Sequence, residues 1–234
     1  MHNLRDKLIK VHDRLQQAAK TANRDPRSIQ LLAVSKTQPT ASIRELFQLG
    51  QVKFGENYLQ EAVEKQRQLT DLAIEWHFIG PIQSNKTQLI AEHFSWVHSV
   101  DRVKIAERLN IQRPGHLPPL DICVQLNVDD EHTKSGVSAH ELDALIAALL
   151  DLPRLRLRGL MAIPAPRTEF NEQLAVFKHV QHVFNQLQTT FPALAMDTLS
   201  MGMSADLEAA IAAGATIVRV GTDLFGARPP PSPG

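Results

Sequence analysis

Lys36 ends the apolar run Ile29-Gln30-Leu31-Leu32-Ala33-Val34-Ser35, and Thr37-Gln38-Pro39 follow it. A lysine at the C-terminal lip of a buried strand sits on a rigid element beside apolar neighbours. Partial burial favours the neutral amine, the form that attacks a carbonyl. The competing reading is a lysine that extends from the strand end into water. A second chemical signal is Ser200-Met201-Gly202-Met203-Ser204, a Gly-containing turn that opens a helix. Free helix N–H groups beside a serine hydroxyl suit an anion. The competing reading makes Ser204 a helix cap, with Asp206 and Glu208 complementing the dipole. Those carboxylates would oppose an anion if they turned inward. In Thr216-Ile217-Val218-Arg219-Val220-Gly221-Thr222, strand alternation puts Ile217, Arg219 and Gly221 on one face. A guanidinium buried there needs a partner, either a carboxylate or a ligand atom that accepts a hydrogen bond.

The elements that must position these groups alternate regularly. A first helix over residues 4–22 precedes strands at 29–35, 52–54, 75–79, 96–99, 121–128, 155–162, 198–200 and 216–220. Helices are predicted at 40–50, 57–70, 84–93, 102–110, 139–150, 170–189 and 205–213. Alternating strands and helices imply parallel βαβ units. Eight such strands predict a single α/β domain, a (β/α)8 TIM barrel with an extra N-terminal helix. An open doubly wound sheet is the alternative, because a strand count does not establish closure. Strands 52–54 and 198–200 are very short, and little chain follows the eighth strand. The N-terminal helix is expected to cover that gap. The barrel is expected over 1–228, with a Pro-rich, disordered tail at 229–234.

Six Gly- or Pro-containing clusters follow strands. They begin at Gly55, Gly80, Thr133, Pro164, Ser200 and Gly221. In a parallel barrel they gather at the C-terminal face, where active sites are built. The loops after strands seven and eight are the recurrent phosphate site of that fold.

Composition narrows the classes further. The 234 residues carry 25 Lys and Arg against 25 Asp and Glu. A zero formal charge argues against a nucleic-acid binder. The single cysteine, Cys123, permits no internal disulfide and lies in an apolar run. The first residues lack a signal-peptide core, and no stretch reaches membrane-spanning length. A soluble, cytoplasmic protein is expected.

A lysine amine, an anion cradle and an arginine thus converge on one barrel mouth. Pyridoxal 5′-phosphate (PLP) offers an aldehyde, a phosphate and a ring nitrogen, one for each. The chain also resembles the pyridoxal phosphate homeostasis protein family. The matching stretches are LLAVSKTQP, FGENYLQEA, WHFIGPIQSNK, HSVDR, KSG, LRGLMAIP, LSMGMSADLEAAIAAGAT and VRVGTDLFGAR. The resemblance implies a monomeric barrel like the N-terminal domain of alanine racemase. It implies that Lys36 holds PLP as an internal aldimine, that Ser200, Ser204, Gly221 and Thr222 contact the phosphate, and that Arg219 faces the pyridine nitrogen. Asn57, His77 and Met161 become candidates to line the ring.

An arginine can only donate to that nitrogen, which leaves the ring a poor electron sink. A racemase also needs acid–base groups on both faces of the substrate's α-carbon. The chain has one tyrosine, Tyr58, and His77 and His98 are the remaining bases considered. The expectation is therefore a PLP carrier without assigned turnover. It would exchange its Schiff base with an apo-enzyme lysine or a free amino acid. The alternatives are a PLP-dependent racemase or related lyase, and a phosphosugar-type barrel enzyme in which Lys36 captures a carbonyl substrate. Lys86 and Lys134 are candidates for a secondary anion contact. His179 and His182 share a helix face, but two groups do not make a metal site, and no metal is expected.

Overall fold

The computed structural model describes residues 3–129 and 135–226. Lys134 and the tail expected at 229–234 lie outside the described residues. Eight strands form the centre of the molecule. They are β1 (Gln30–Val34), β2 (Lys53–Glu56), β3 (Glu75–Phe78), β4 (Trp96–Val100), β5 (Leu120–Leu126), β6 (Leu155–Ala162), β7 (Thr198–Ser200) and β8 (Ile217–Val220). They pair in chain order into a closed barrel. The last strand returns to the first in parallel, with Gln30 opposite Ile217 and Ala33 opposite Val220. That register excludes the open-sheet alternative.

The helices outside are α1 (Leu4–Thr21), α2 (Thr40–Gln48), α3 (Leu59–Gln68), α4 (Thr87–His93), α5 (Val103–Gln112), α6 (Leu142–Leu149), α7 (Phe170–Thr190), α8 (Leu207–Ala212) and α9 (Thr222–Phe225). In α1 the buried residues Leu8, Val11, Leu15, Ala18 and Ala19 recur at three- and four-residue spacing. That stripe faces the barrel wall. The Asn3 side chain accepts the Asp6 N–H at 2.8 Å and so caps the helix. With α9 only one turn long, α1 packs against α2, α8 and α9 and fills the eighth outer position. Arg14 of α1 fastens this arrangement by bonding Glu208 of α8 and, at 2.7 Å, Asp223 of α9.

Five helices begin later than the sequence suggests, and the delays in α3 and α8 shape the barrel mouth. Helix α3 starts at Leu59 because Tyr58 is extended, with φ −114° and ψ 112°. Gly80 packs against this segment, and a Cβ there would lie 2.2 Å from the Asn57 carbonyl oxygen. Only glycine allows that approach. Helix α8 starts at Leu207 because Asp206 folds back to accept the Met203 N–H at 2.7 Å. Just before it, Gly202 has φ +91° and a site for Cβ only 2.5 Å from that of Ala210.

Apolar residues pack in two places. The larger core fills the space between strands and helices. A smaller one lies inside the barrel and contains Leu32, Ile79, Trp96, Cys123, Met161 and Ile217. Cys123 is a free thiol that behaves as a buried apolar side chain, and burial raises its pKa far above the usual range. At the N-terminal end, Arg156 and Arg158 both reach Asp121, and Arg158 bonds Asp197 at 2.6 Å. The Arg158 guanidinium also lies 4.8 Å from the centre of the Trp96 ring.

Candidate functional site

Lys36 stands two residues beyond β1, half-buried at the C-terminal face. Both of its neighbours are fixed by charged side chains. The Ser35 hydroxyl donates to Glu56 Oε1 at 2.6 Å, and Lys65 Nζ donates to the Ser35 carbonyl at 2.6 Å. Lys65 also pairs with Glu56 at 2.8 Å and Glu61 at 2.5 Å. Glu61 in turn accepts the Thr37 N–H at 2.6 Å. Thr37 is held at φ +63°, a left-handed conformation costly for a β-branched residue. The chain therefore makes a sharp, clamped turn around Lys36. Burial raises the Glu56 pKa, while Lys65 pulls it down.

Lys36 opens on a cavity of about 370 Å³ lined by Val34, Asn57, Ile79, Ser204, Arg219, Gly221 and Thr222, with Ile163, Met203 and Ala205 completing the wall. A second cavity of about 390 Å³ adjoins it through Asn57, Ile79, Ile163 and Met203. Six of the nine expected site residues thus meet in one place: Lys36, Asn57, Ser204, Arg219, Gly221 and Thr222.

Ser200, His77 and Met161 do not line that cavity. Ser200 is the last residue of β7, and its hydroxyl turns into the barrel. It accepts from Arg219 Nη1 at 2.8 Å and lies 2.7 Å from His98 Nδ1. Its hydroxyl is thus engaged with Arg219 and His98 and lies outside the cavity wall. His77 is fully buried in the layer below, bonded to His98 and Glu75 and stacked on Trp96. Met161, opposite Ser200 in register, belongs to the apolar interior beneath Ile79. It forms part of the floor and not the lining. Lys86 lies at the start of α4, away from both cavities.

The carboxylates that could oppose an anion are accounted for. Glu208 and Asp223 are drawn toward α1 by Arg14, and Asp206 holds Met203 N–H. At the other loop, the Leu224 and Phe225 N–H groups donate to the Gly221 carbonyl at 3.0 and 2.9 Å, which leaves the Thr222 and Asp223 N–H groups outside the bonding of α9 itself. A Cβ on Gly221 would come within 3.3 Å of the Val34 carbonyl oxygen, so glycine keeps this edge open.

Arg219 is buried against neutral acceptors. Nη1 donates to the Ser200 carbonyl at 2.6 Å as well as to its hydroxyl, and Nη2 donates to the Ala162 carbonyl at 2.9 Å. Burial lowers its pKa to about 10, with Asp206 opposing the shift. It stays cationic at neutral pH. These bonds leave Nε–H and one Nη2–H of the guanidinium for another acceptor. Sequence reasoning found Arg219 and Lys36 but missed Lys65, Glu56 and Glu61. Their signal was faint: a Glu-x3-Lys pair on α3, which reads as an ordinary solvated helix face.

The residues fit a compact cofactor with an aldehyde, a phosphate and a pyridine nitrogen. Besides the amine, the spare guanidinium donors and the open edge at Gly221, the buried Asn57 Oδ1 has no hydrogen-bond partner among the described residues. A buried polar atom left unmatched beside a cavity is a place for a ligand.

Fold and site together define a barrel of the alanine racemase type, and the family model described as "Alanine racemase, N-terminal domain" matches residues 8–229. The Pseudomonas aeruginosa pyridoxal phosphate homeostasis protein is 57% identical over 228 residues, covering 97% of each chain. The Escherichia coli K12 protein of the same name is 53% identical over 231 residues, covering 97% of this chain and 98% of that one. The chain belongs to the pyridoxal phosphate homeostasis protein family. Among solved structures, PipY of Synechococcus elongatus PCC7942 with PLP bound matches at 40% identity and a TM-score of 0.80. That match covers 91% of this chain and 99% of PipY.

Proposed function

We propose that this chain binds PLP through a Schiff base to Lys36 and serves PLP homeostasis as a carrier. The observation that carries this reading is the convergence of Lys36, Arg219, Asn57 and the Gly221-Thr222 edge on one cavity. The names of its relatives and the PLP in PipY support it. When bound, the cofactor supplies an aldehyde that condenses with the Lys36 amine, releasing water. The clamped turn around Lys36 holds the amine at the cavity edge. Ser204 and Thr222 would hold the phosphate, Asn57 would pair at the ring, and Arg219 would donate to the ring nitrogen. An apo-enzyme lysine or a free amino acid is the acceptor on release.

The same lining argues for holding over turnover. Among the described residues Lys36 and Arg219 are its only ionisable side chains, and Arg219 stays protonated at neutral pH. His77 and His98 are committed to partners inside the barrel. No acid–base pair is left to flank a substrate α-carbon. The working unit in this reading is a monomer. No described helix is long and apolar enough to cross a membrane. We assign the protein to the cytoplasm, in keeping with its single buried thiol.

Purified chain mixed with PLP should develop a visible Schiff-base band that borohydride removes and that Lys36→Ala lacks. Amino-acid α-protons should not exchange with deuterated water above the Lys36→Ala background. A colourless wild-type mixture contradicts the binding reading, and Lys36-dependent exchange contradicts the carrier reading.

A further inference from the structure

A buried line of polar side chains runs through the barrel from its N-terminal end to Arg219. Glu75 opens β3 at the N-terminal face, 3.4 Å from Lys53. Its Oε1 is 2.9 Å from His77 Nε2. His77 Nδ1 is 2.8 Å from His98 Nε2, and His98 Nδ1 is 2.7 Å from the Ser200 hydroxyl, which accepts from Arg219. His77, His98 and Ser200 are fully buried.

The two ends dictate the direction of every proton. A guanidinium only donates and a carboxylate only accepts. Ser200 accepts from Arg219, so its own hydrogen is available to His98 Nδ1. His98 then carries its proton on Nε2 and donates to His77 Nδ1, and His77 donates from Nε2 to Glu75. Reversing the line would aim a bare His77 nitrogen at the Glu75 carboxylate, acceptor against acceptor. With both rings neutral, as full burial favours, each is in the Nε2–H form. Burial lowers both their pKa values in keeping with this. Other groups act from the sides. They are Lys53 and Asp121 toward His77, and Asp206 and the neutral Cys123 thiol toward Arg219. None of these replaces a link in the line.

Arg219 hydrogen-bonds no carboxylate among the described residues, yet a buried guanidinium needs a counter-charge. We propose that Glu75, His77, His98 and Ser200 form a one-way hydrogen-bonded relay that carries the charge of Glu75 to Arg219. The relay fixes Arg219 as the donor that reads the cofactor's ring nitrogen. All four are positioning residues, because none of them lines the cavity. The last clause of the proposal rests on the reading that PLP places its ring nitrogen at Arg219.

¹⁵N NMR of the full-length, cofactor-free chain tests the relay without any variant that must bind PLP. His77 and His98 should show protonated Nε2 and bare Nδ1 from about pH 6 to 8. A cationic ring or an Nδ1–H form in that range overturns the relay. With PLP, His98→Phe should raise the dissociation constant about tenfold, as one link to a charged group is lost. Glu75→Gln keeps a bond to His77 but removes the charge, and a rise of about threefold is expected. Unchanged affinity in folded His98→Phe defeats the relay alone. Failure of the wild-type chain to take up PLP defeats the functional reading, whatever the tautomers.

Discussion

Two cations lie buried on opposite sides of Lys36, and they are neutralised in opposite ways. Lys65, 6% exposed, touches two carboxylates, Glu56 and Glu61. Arg219, 3% exposed, donates to two carbonyls and a hydroxyl. The first cluster pairs its cation with carboxylates of the chain, although Glu56 Oε2 has no hydrogen-bond partner among the described residues, and uses those pairs to pin Ser35 and Thr37. It is a clamp. The second keeps donors in reserve and faces a cavity. It is a reader of something not supplied by the chain. A buried cation in contact with carboxylates builds structure, and one without such contact leaves charge to offer a ligand.

The largest expected effect breaks the clamp. Lys65→Met leaves Glu56 buried without its cation and should cost about 3–5 kcal/mol in urea unfolding. Adding Glu56→Gln should recover a large part of that. A single variant as stable as wild type would mean the clamp is not built on charge. Arg219→Met should cost less, about 1–2 kcal/mol, because it strands only neutral acceptors. It should nevertheless weaken PLP binding more than Lys65→Met does at matched folding. In Arg219→Glu the ring nitrogen gains a partner that permits protonation, so the visible band should shift to the red. An unchanged band in the folded variant contradicts placement of Arg219 at that nitrogen.

The smallest effect concerns pH. The hydrogen bond from His77 holds the Glu75 carboxyl down to about 2, against its ordinary value of 4.5. A depressed carboxyl contributes stability above its unfolded pKa and loses it as pH falls toward the folded one. Relative to Glu75→Gln, the wild type should gain about 1 kcal/mol above pH ~4.5, after allowing for solvent screening of this part-exposed group. The gain should fade on acidification toward pH ~2. His98, whose pKa is lowered by burial, acts in the same direction from a higher pH. Its neutral form is native, so stability should begin to fall once pH drops below about 6.5. A difference that stays flat from pH 6 to 3 contradicts the link between Glu75 and His77.

The barrel itself was legible because strand and helix periods alternate so regularly. Strands at 155–162 and 198–200 were placed to the residue, and the missing eighth helix correctly pointed to α1. Lys36 and Arg219 were legible because strand ends and strand alternation fix which way a side chain faces. The loop at Ser200 reads as a phosphate cradle, and the inward bond of its hydroxyl to Arg219 was not legible in the sequence. His77 was singled out as a ring-lining candidate, and both His77 and His98 as candidate bases; their line appears only when β3 and β4 pair and Glu75 comes into reach. Lys65 was invisible for a similar reason. A helical lysine reads as solvated unless the fold brings a strand-end carbonyl, here that of Ser35, to its ammonium.

Borohydride reduction of the PLP-loaded chain followed by peptide mass spectrometry locates the Schiff base. One pyridoxyl-phosphate adduct is expected, on the peptide containing Lys36, with no comparable label at Lys65 or Lys86. A label that survives Lys36→Ala at wild-type yield, or that sits first on another lysine, contradicts that placement.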